Sequence, residues 1–157
     1  MLPYQVRRWF RWSEWRWLCR RFVGFFQRGW RGYADHDVWS FDHYVAGVMS
    51  AGLKRLAANH CGYPTAFLPD YPTRWEHTLE EREAAYAAWT AWLEDKAEWF
   101  AWYAVDDDGI SDDRGWIRPD LTEDEKRRRI EAHLAKMETF HSEVLADFGE
   151  HFGSLWD

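Results

Sequence analysis

The stretch from Thr73 to Val105, TRWEHTLEEREAAYAAWTAWLEDKAEWFAWYAV, decides the fold of this 157-residue chain. Large apolar residues recur in it at three- and four-residue steps, which is the period of an amphipathic helix. Because Thr73 and Glu76 have the spacing of a capping box, the sequence predicts one helix from Thr73 to Val105, about 50 Å long. The predicted buried stripe consists of Trp75, Leu79, Tyr86, Trp89, Leu93, Ala97 and Phe100.

This helix carries further aromatic residues outside the stripe: Trp92, Trp99, Trp102 and Tyr103. The whole chain has 13 Trp, more apolar surface than one small core should need. A helix with aromatic residues on several faces is expected to pack on both sides, either inside the monomer or across an oligomer interface.

A first helix is predicted over residues 7–27 and is expected to end at Gly29 and Gly32. Its apolar stripe consists of Trp12, Trp15, Cys19, Phe22, Val23 and Phe26. Trp9, Trp17 and several arginines fall largely on other sides, so the sequence predicts a helix that is aromatic on two faces and basic between them.

A second helix is predicted from Asp35, as its cap, to about Asn59. Its predicted buried residues are Val38, Phe41, Val45, Val48, Met49, Gly52, Leu53 and Leu56. The Pro-containing stretch that follows, up to Thr73, is predicted to be a fixed loop because it has aromatic groups to bury.

The last helix is predicted to begin at the capping box of Thr122 and Glu125, after a solvated connection over residues 106–119. Its predicted stripe consists of Ile130, Leu134, Met137, Val144, Leu145, Phe148 and Phe152. Four helices without a strand pattern predict an all-α protein, a helical bundle in a single domain over residues 1–157, and the surplus aromatics predict a homo-oligomer.

Charge is distributed unevenly along the chain. Residues 1–34 carry eight arginines against one glutamate, a net charge of +7, which leaves −14 on residues 35–157 of a chain whose total is −7. A basic segment on an acidic body can fold back on it, pair with another subunit or capture an anion. Asp42 is predicted to be at least half-buried and to pair with an arginine of the first helix, which would tie the basic segment to the body.

No arrangement of residues in the sequence defines a reaction, so the protein is predicted not to be an enzyme and to use no cofactor or metal. Glu138 and His141 have the Glu-x-x-His spacing of di-iron bundles, but the sequence holds one copy and such a centre needs two. His141 is therefore predicted to be a hydrogen-bonded core residue. A metal hydrolase built from His36, Asp42, His43 and His141 is the least favoured alternative.

The residues that favour ligand binding cluster around the turn between the first two helices. Arginine binds phosphate through paired hydrogen bonds while Trp and Tyr stack on bases, so the cluster suits a small anionic ligand such as a nucleotide. The predicted ligand-binding residues are Arg28, Trp30, Arg31, Tyr33, His36, Trp39 and His43.

The same stretch carries a family resemblance. Residues 28–57 read RGWRGYADHDVWSFDHYVAGVMSAGLKRLA, and HCGYP follows at residues 60–64. The stretch resembles a signature of small bacteriophage-encoded proteins of uncharacterised function, approximately R-G-W/Y-S/A-D-x-D-V/L-W-S/N-L/F-D, an amphipathic helix and H-G-x-P. Cys61 separates His60 from Gly62 where the family has His next to Gly, and Trp75 and Leu79 resemble its following helix start. The resemblance implies a phage accessory protein and no particular activity.

The leading functional prediction is a non-catalytic phage protein that sequesters a small anionic ligand, such as a cyclic nucleotide signal of host defence. The main alternative is a structural, assembly or host-protein-interaction protein that docks through its Trp-rich helices. A membrane-surface helix over residues 7–27 is a third alternative, disfavoured because Arg16, Arg20 and Arg21 are not expected to separate from the aromatic positions. Specific DNA binding is not expected, and two lone cysteines, Cys19 and Cys61, favour a reducing cytosol, which the phage resemblance implies is that of an infected bacterium.

Overall fold

The computed structural model describes residues 12–70, 76–105, 111, 118 and 120–156, with the backbone alone at residues 12–18, 20 and 156. Each element of regular secondary structure in these residues is a helix, so the protein is all-α, as predicted. The α-helices are α1 (Trp12–Arg31), α2 (Phe41–Asn59), α3 (Leu79–Val105), α4 (Glu123–Thr139) and α5 (Leu145–His151). Short 3₁₀ helices occupy Asp35–Ser40, Thr65–Phe67 and Phe152–Trp156, and a π-helix occupies Phe140–Val144. No helix in the described residues is both long and apolar enough to cross a membrane.

The chain divides into two compact units, residues 1–44 and 45–157, with the boundary inside α2. In the first unit, α1 extends to Arg31 instead of ending at residue 27, and Gly29 lies within it. Gly32 ends the helix: its φ is 84°, and its N–H donates to the carbonyl oxygen of Arg28 at 2.9 Å. This left-handed conformation is readily available to glycine. Predictions for residues 7–11 lie outside the described residues.

The turn after α1 begins differently from its prediction. Ala34, not Asp35, is the N-cap of a 3₁₀ helix, and the carboxylate of Asp37 accepts a hydrogen bond from the Ala34 N–H at 2.7 Å. Asp37 therefore supplies the acidic half of a capping box from the third helical position. Regular α-helix starts only at Phe41.

The core of the second unit lies among α2, α3 and the segment from the π-helix through α5. Its buried side chains are Ala46, Leu53, Trp89, Leu93, Ala97, Phe100, Phe140, Val144 and Phe148. The ring of Phe100 makes edge contacts with those of Phe140 and Phe148, at centroid distances of 5.6 and 5.0 Å. Four residues predicted to be buried on α3, Trp89, Leu93, Ala97 and Phe100, are confirmed.

The buried side of α2 is rotated from its prediction. Leu53 is buried and Met49 and Leu56 pack against the core, as predicted, but Ala46 and Ser50 are the other buried residues. Both side chains are smaller than those of the Val and Phe residues predicted to be buried. The bulkier residues predicted to be buried are exposed by 38% or more: Val38, Phe41, Val45 and Val48.

The third helix begins later than predicted because a second capping pattern follows the first. Glu81 N–H donates to the Thr78 hydroxyl at 3.2 Å, and the Glu81 carboxylate accepts from Thr78 N–H at 2.8 Å. Thr73 and Trp75 lie outside the described residues. Leu79, in the first turn, is 73% exposed, and Tyr86 is 41% exposed, so neither belongs to the buried stripe.

The additional aromatics of α3 pack inside the second unit. Trp92 stacks between Trp89 and Phe148, at centroid distances of 5.1 and 6.1 Å. On another face, Lys136 Nζ lies 4.3 Å from the ring centroid of Trp102. Packing inside the monomer is thus one use of these residues. The loop after α2 also buries aromatic groups, since Phe67 contacts Trp89 at 5.2 Å, as predicted.

The predicted capping box of Thr122 and Glu125 opens α4. Farther along, the π-helix changes the register of the side chains, so Phe140, which the predicted stripe omitted, is buried together with Val144. His141 is exposed, contrary to the predicted core position. Four stripe residues are also exposed by 38% or more: Ile130, Leu134, Leu145 and Phe152. The prediction of a solvated connection over residues 106–119 falls largely outside the described residues.

Replacing Leu93, which is 0% exposed, with Ala should destabilise the protein by about 2–5 kcal/mol, because the change removes buried apolar contacts and leaves a cavity. Urea unfolding followed by far-UV circular dichroism measures the effect. Leu134→Ala, at a 61% exposed position of α4, is the matched control and should change the free energy of unfolding by no more than about 0.5 kcal/mol. Equal effects of the two substitutions would contradict the assigned core.

Candidate binding site

Arg28 and Asp37 form the best-defined ion pair of the first unit. Arg28 Nε donates to Asp37 Oδ2 at 2.9 Å and Nη2 donates to Oδ1 at 2.5 Å, a bidentate arrangement. The Asp37 side chain is only 5% exposed. Hydrogen bonds from Arg28 outweigh desolvation and lower the pKa of Asp37, while those same bonds raise the pKa of Arg28. The pair fixes the turn against the end of α1.

A second pair lies at the outer edge of the turn. The guanidinium of Arg31 donates to a carboxylate oxygen of Asp35, and its Nε–H donates to the Tyr33 carbonyl oxygen at 3.1 Å. The guanidinium carbon lies 4.9 Å from the centroid of the Tyr33 ring, a cation–π contact. Gln27 both donates to Asp35 Oδ2, at 2.7 Å, and accepts from its N–H, at 3.0 Å. Hydrogen bonds from Arg31 and Gln27 lower the pKa of Asp35.

His36 lies beside the first pair. Its Nε2 is 3.0 Å from Arg28 Nη2, and because a guanidinium has no acceptor, the imidazole nitrogen accepts this hydrogen bond. The ring also approaches α1 closely, since a Cβ built on Gly24 would lie 3.1 Å from His36 Cε1. A larger residue than glycine at position 24 would crowd the turn. The His36 side chain nevertheless remains 64% exposed.

The structure therefore brings together four of the seven predicted site residues: Arg28, Arg31, Tyr33 and His36. Trp30 and Trp39 present their rings to solvent, with 92% and 93% exposure. His43 lies on α2 with its Nε2 3.5 Å from Asp42 Oδ2.

The acidic residues of the turn were largely missed by the sequence prediction. The Asp42 side chain is 58% exposed, so its predicted burial is wrong, whereas the Asp37 side chain is 5% exposed. The ion pairs that the structure shows with arginines of the first helix involve Asp35 and Asp37, where the prediction named Asp42. The sequence did contain a signal for these pairs: Asp35 and Asp37 follow the two arginines of RGWRG within a few residues, so a turn of the backbone can bring the carboxylates back to the guanidinium groups.

The turn is balanced in charge, since two carboxylates accept hydrogen bonds from two guanidinium groups. Such an arrangement orders the backbone and holds the neighbouring aromatic side chains on a defined scaffold. Within the described parts of the chain, no three His, Cys, Asp or Glu side chains are placed to hold a metal ion together.

The second unit has a buried polar cluster with a structural role. Lys96, whose side chain is 9% exposed, lies 2.6 Å from Asp147 and 3.0 Å from Asp95. Trp92 Nε1 also donates to Asp147, at 2.9 Å, and His151 Nδ1 lies 3.2 Å from it. Burial tends to raise the pKa of Asp147, but the hydrogen bonds from Lys96 and Trp92 prevail and lower it. The cluster ties α3 to α5 through compensated charges.

Neither a protein-family model nor a curated protein sequence nor a solved structure matches this chain. Its function is therefore inferred from the geometry of the turn.

The Ala34 N–H donates a hydrogen bond to the Asp37 carboxylate, and this bond should persist until the carboxylate is protonated. The NMR signal of the Ala34 amide should therefore shift with pH, with a midpoint below the ordinary aspartate pKa of about 3.9, because the pKa of Asp37 is lowered. Because the pKa of Asp37 is lower in the folded protein than in the unfolded chain, its contribution to stability is complete at pH values above the pKa in the unfolded chain. That contribution is lost as the pH falls through the pKa in the folded protein. Two-dimensional ¹H–¹⁵N NMR over an acid titration measures this.

Asp37→Asn should abolish the titration of the Ala34 signal and broaden the signals of residues 35–40. Asp35→Asn is the control, because Asp35 accepts no hydrogen bond from Ala34 in the structure, and the Ala34 titration should survive in this variant. If the Ala34 signal of the unchanged protein instead shifts with a pH midpoint at the ordinary aspartate pKa, the Arg28–Asp37 pairing is refuted.

Proposed function

We propose that this chain is a non-catalytic interaction protein that recognises a protein partner through aromatic rings at the turn after α1. The exposure of Trp39, 93% in a 3₁₀ helix whose start is held by Asp37, carries this proposal. Trp30 is exposed to the same degree and Tyr33 by 38%. Trp, Tyr and Arg are the residue types that contribute most to binding energy at protein interfaces.

The ordered turn favours tight recognition. A surface whose backbone is already fixed loses less conformational entropy on binding than a flexible loop does. The Arg28–Asp37 and Arg31–Asp35 pairs, together with the Gln27 hydrogen bonds, fix the backbone here. The rings are thus presented on a preformed scaffold.

The ion pairs within the turn are the reason to prefer a protein over a small anion as the binding partner. A phosphate would have to compete with Asp35 and Asp37 for the guanidinium donors of Arg31 and Arg28. Since the two carboxylates also cancel the two positive charges, the local field offers an anion little attraction.

The resemblance of residues 28–64 to small phage-encoded proteins supports assigning this protein to the accessory proteins of bacteriophages. Its partner would then be a host protein or a component of the phage particle, met in the cytoplasm of an infected bacterium. Self-association into a homo-oligomer through the Trp-rich helices belongs to the same proposal.

Trp39→Ala should weaken partner binding roughly thirtyfold, the effect of losing about 2 kcal/mol at an interface hot spot. The test uses the purified protein as bait in a bacterial extract, identifies what it retains, and then measures the affinity of the purified pair by calorimetry. Leu134→Ala is the control, because it removes exposed apolar surface from the second unit. A partner that binds the Trp39→Ala protein as tightly as the unchanged protein would refute the role of this residue.

A second candidate function is the sequestration of a nucleotide. The observation that favours it is the partial exposure of the cationic side chains, 43% for Arg28 and 36% for Arg31, beside an exposed His36. Each guanidinium has five N–H donors, so donors remain after a carboxylate is bound. Exposed Trp rings could stack on a base.

Native mass spectrometry with mono-, di- and cyclic nucleotides tests this candidate and counts subunits in the same spectra. Sequestration predicts an intact, stoichiometric adduct that Arg31→Ala weakens at least about tenfold, the loss expected on removing a charged hydrogen-bonding group. Arg31 is the informative position because Arg28 also holds the buried Asp37. Arg127→Ala, on α4, is the control. A complete absence of adducts would exclude this candidate, and a converted nucleotide would indicate an enzyme.

A further inference from the structure

The apolar side of α1 is exposed to solvent from Phe22 to Trp30. Phe22, Val23, Phe25 and Phe26 are 61%, 55%, 71% and 70% exposed, and Trp30 at the end of the helix is 92% exposed. By contrast, Gly24 is buried beneath the turn. The turn therefore folds back on one side of the helix and leaves the Phe-rich side open.

The register of α1 separates apolar from basic positions. At 3.6 residues per turn, one half of the helix circumference contains positions 12, 15, 18, 19, 22, 23, 25, 26, 29 and 30, which are all aromatic, aliphatic, Cys or Gly. The opposite half contains the five arginine positions, 16, 20, 21, 28 and 31. Trp17 is the one aromatic position that falls with the arginines. Apart from Trp17, the positions of Arg16, Arg20 and Arg21 therefore lie on a different half of this helix from the aromatic positions.

We infer that α1 binds the surface of a bilayer containing anionic phospholipid, lying in the plane of the interface with its Phe-rich side toward the acyl chains. Interfacial helices have this composition, with Phe, Trp and Leu on one side and arginine on the other. The helix is about 30 Å long, which is ample for such contact. This surface shares Trp30 with the proposed protein-binding turn, but the inference rests on the Phe residues of α1 and not on Trp39, so it stands independently of the proposed function.

Charge favours lipid over a second copy as the occupant of this surface. Five arginines against one glutamate give α1 a net charge of +4, of which Asp35 and Asp37 offset two through their pairs with Arg31 and Arg28, and the first 34 residues together carry +7. A symmetric dimer through the Phe-rich sides would bring two such helices together at the cost of mutual repulsion. Anionic headgroups instead attract basic residues that lie near the surface.

Vesicle flotation tests the inference with the full-length protein. It should float with vesicles of equimolar phosphatidylglycerol and phosphatidylcholine and remain unbound with phosphatidylcholine alone. Raising the salt to about 1 M, where charges are screened beyond about 3 Å, should weaken binding. Phe25→Ser combined with Phe26→Ser should lower the partition coefficient at least about tenfold, because two exposed rings no longer enter the interface.

Three variants make the result specific. Phe25→Leu with Phe26→Leu retains the apolar surface and should still float, which separates loss of binding from loss of folding. Ile130→Ser with Leu134→Ser removes exposed apolar residues from α4 and should float like the unchanged protein. Trp39→Ala should also float, so a failure of the protein-binding proposal and a failure of this one can be told apart.

Failure of the unchanged protein to float with the anionic vesicles would overturn the inference. So would equal flotation of the double serine variant. A dimer in vesicle-free solution that the double serine variant converts to monomers, together with no flotation, would assign this surface to a second copy.

Discussion

The Arg28–Asp37 pair is the interaction on which the organisation of the N-terminal unit depends. It joins the last turns of α1 to the 3₁₀ helix, and the same carboxylate accepts the Ala34 N–H that begins this helix. Since the pair forms on the basic side of α1, it determines which side of that helix is covered and which is exposed. The pair therefore acts together with the Arg31–Asp35 pair and the Gln27 hydrogen bonds to set which side chains of this unit face solvent.

Buried charge has a similar organising role in the C-terminal unit, where Lys96 and Asp147 join α3 to α5. The aromatic core reaches this pair through Trp92, which contributes both a ring stacked on Phe148 and an N–H that binds Asp147. Tryptophan is suited to such a place because one end of the side chain is apolar and the other donates a hydrogen bond. The high Trp content of the chain thus has one structural explanation in this unit.

The sequence was sufficient to predict the class of fold and the centre of α3, because Trp89, Leu93, Ala97 and Phe100 follow a regular helical period. It was insufficient where two signals competed or where the period changed. Thr73 and Thr78 each precede a glutamate by three residues, and the structure uses the second pattern. On α2 the large apolar side chains were predicted to be buried, whereas the small residues Ala46 and Ser50 are buried in the structure. At the turn, the cations and rings were identified from composition, but pairing with Asp35 and Asp37 depends on how the backbone folds back.

The π-helix at Phe140–Val144 has a consequence for how the C-terminal segment can change. It uses one residue more than the same stretch of α-helix would need, so it takes up an extra residue while the helix on either side keeps its orientation. Deleting one residue here would let the segment continue as regular α-helix with little rotation of α5 relative to α4, so Phe148 would stay in the core and Asp147 beside Lys96. Deleting one residue from the middle of α4 would instead rotate the helix after it by about 100°, since each residue of an α-helix accounts for that rotation. The π-helix is therefore the place in this segment where the number of residues is least constrained.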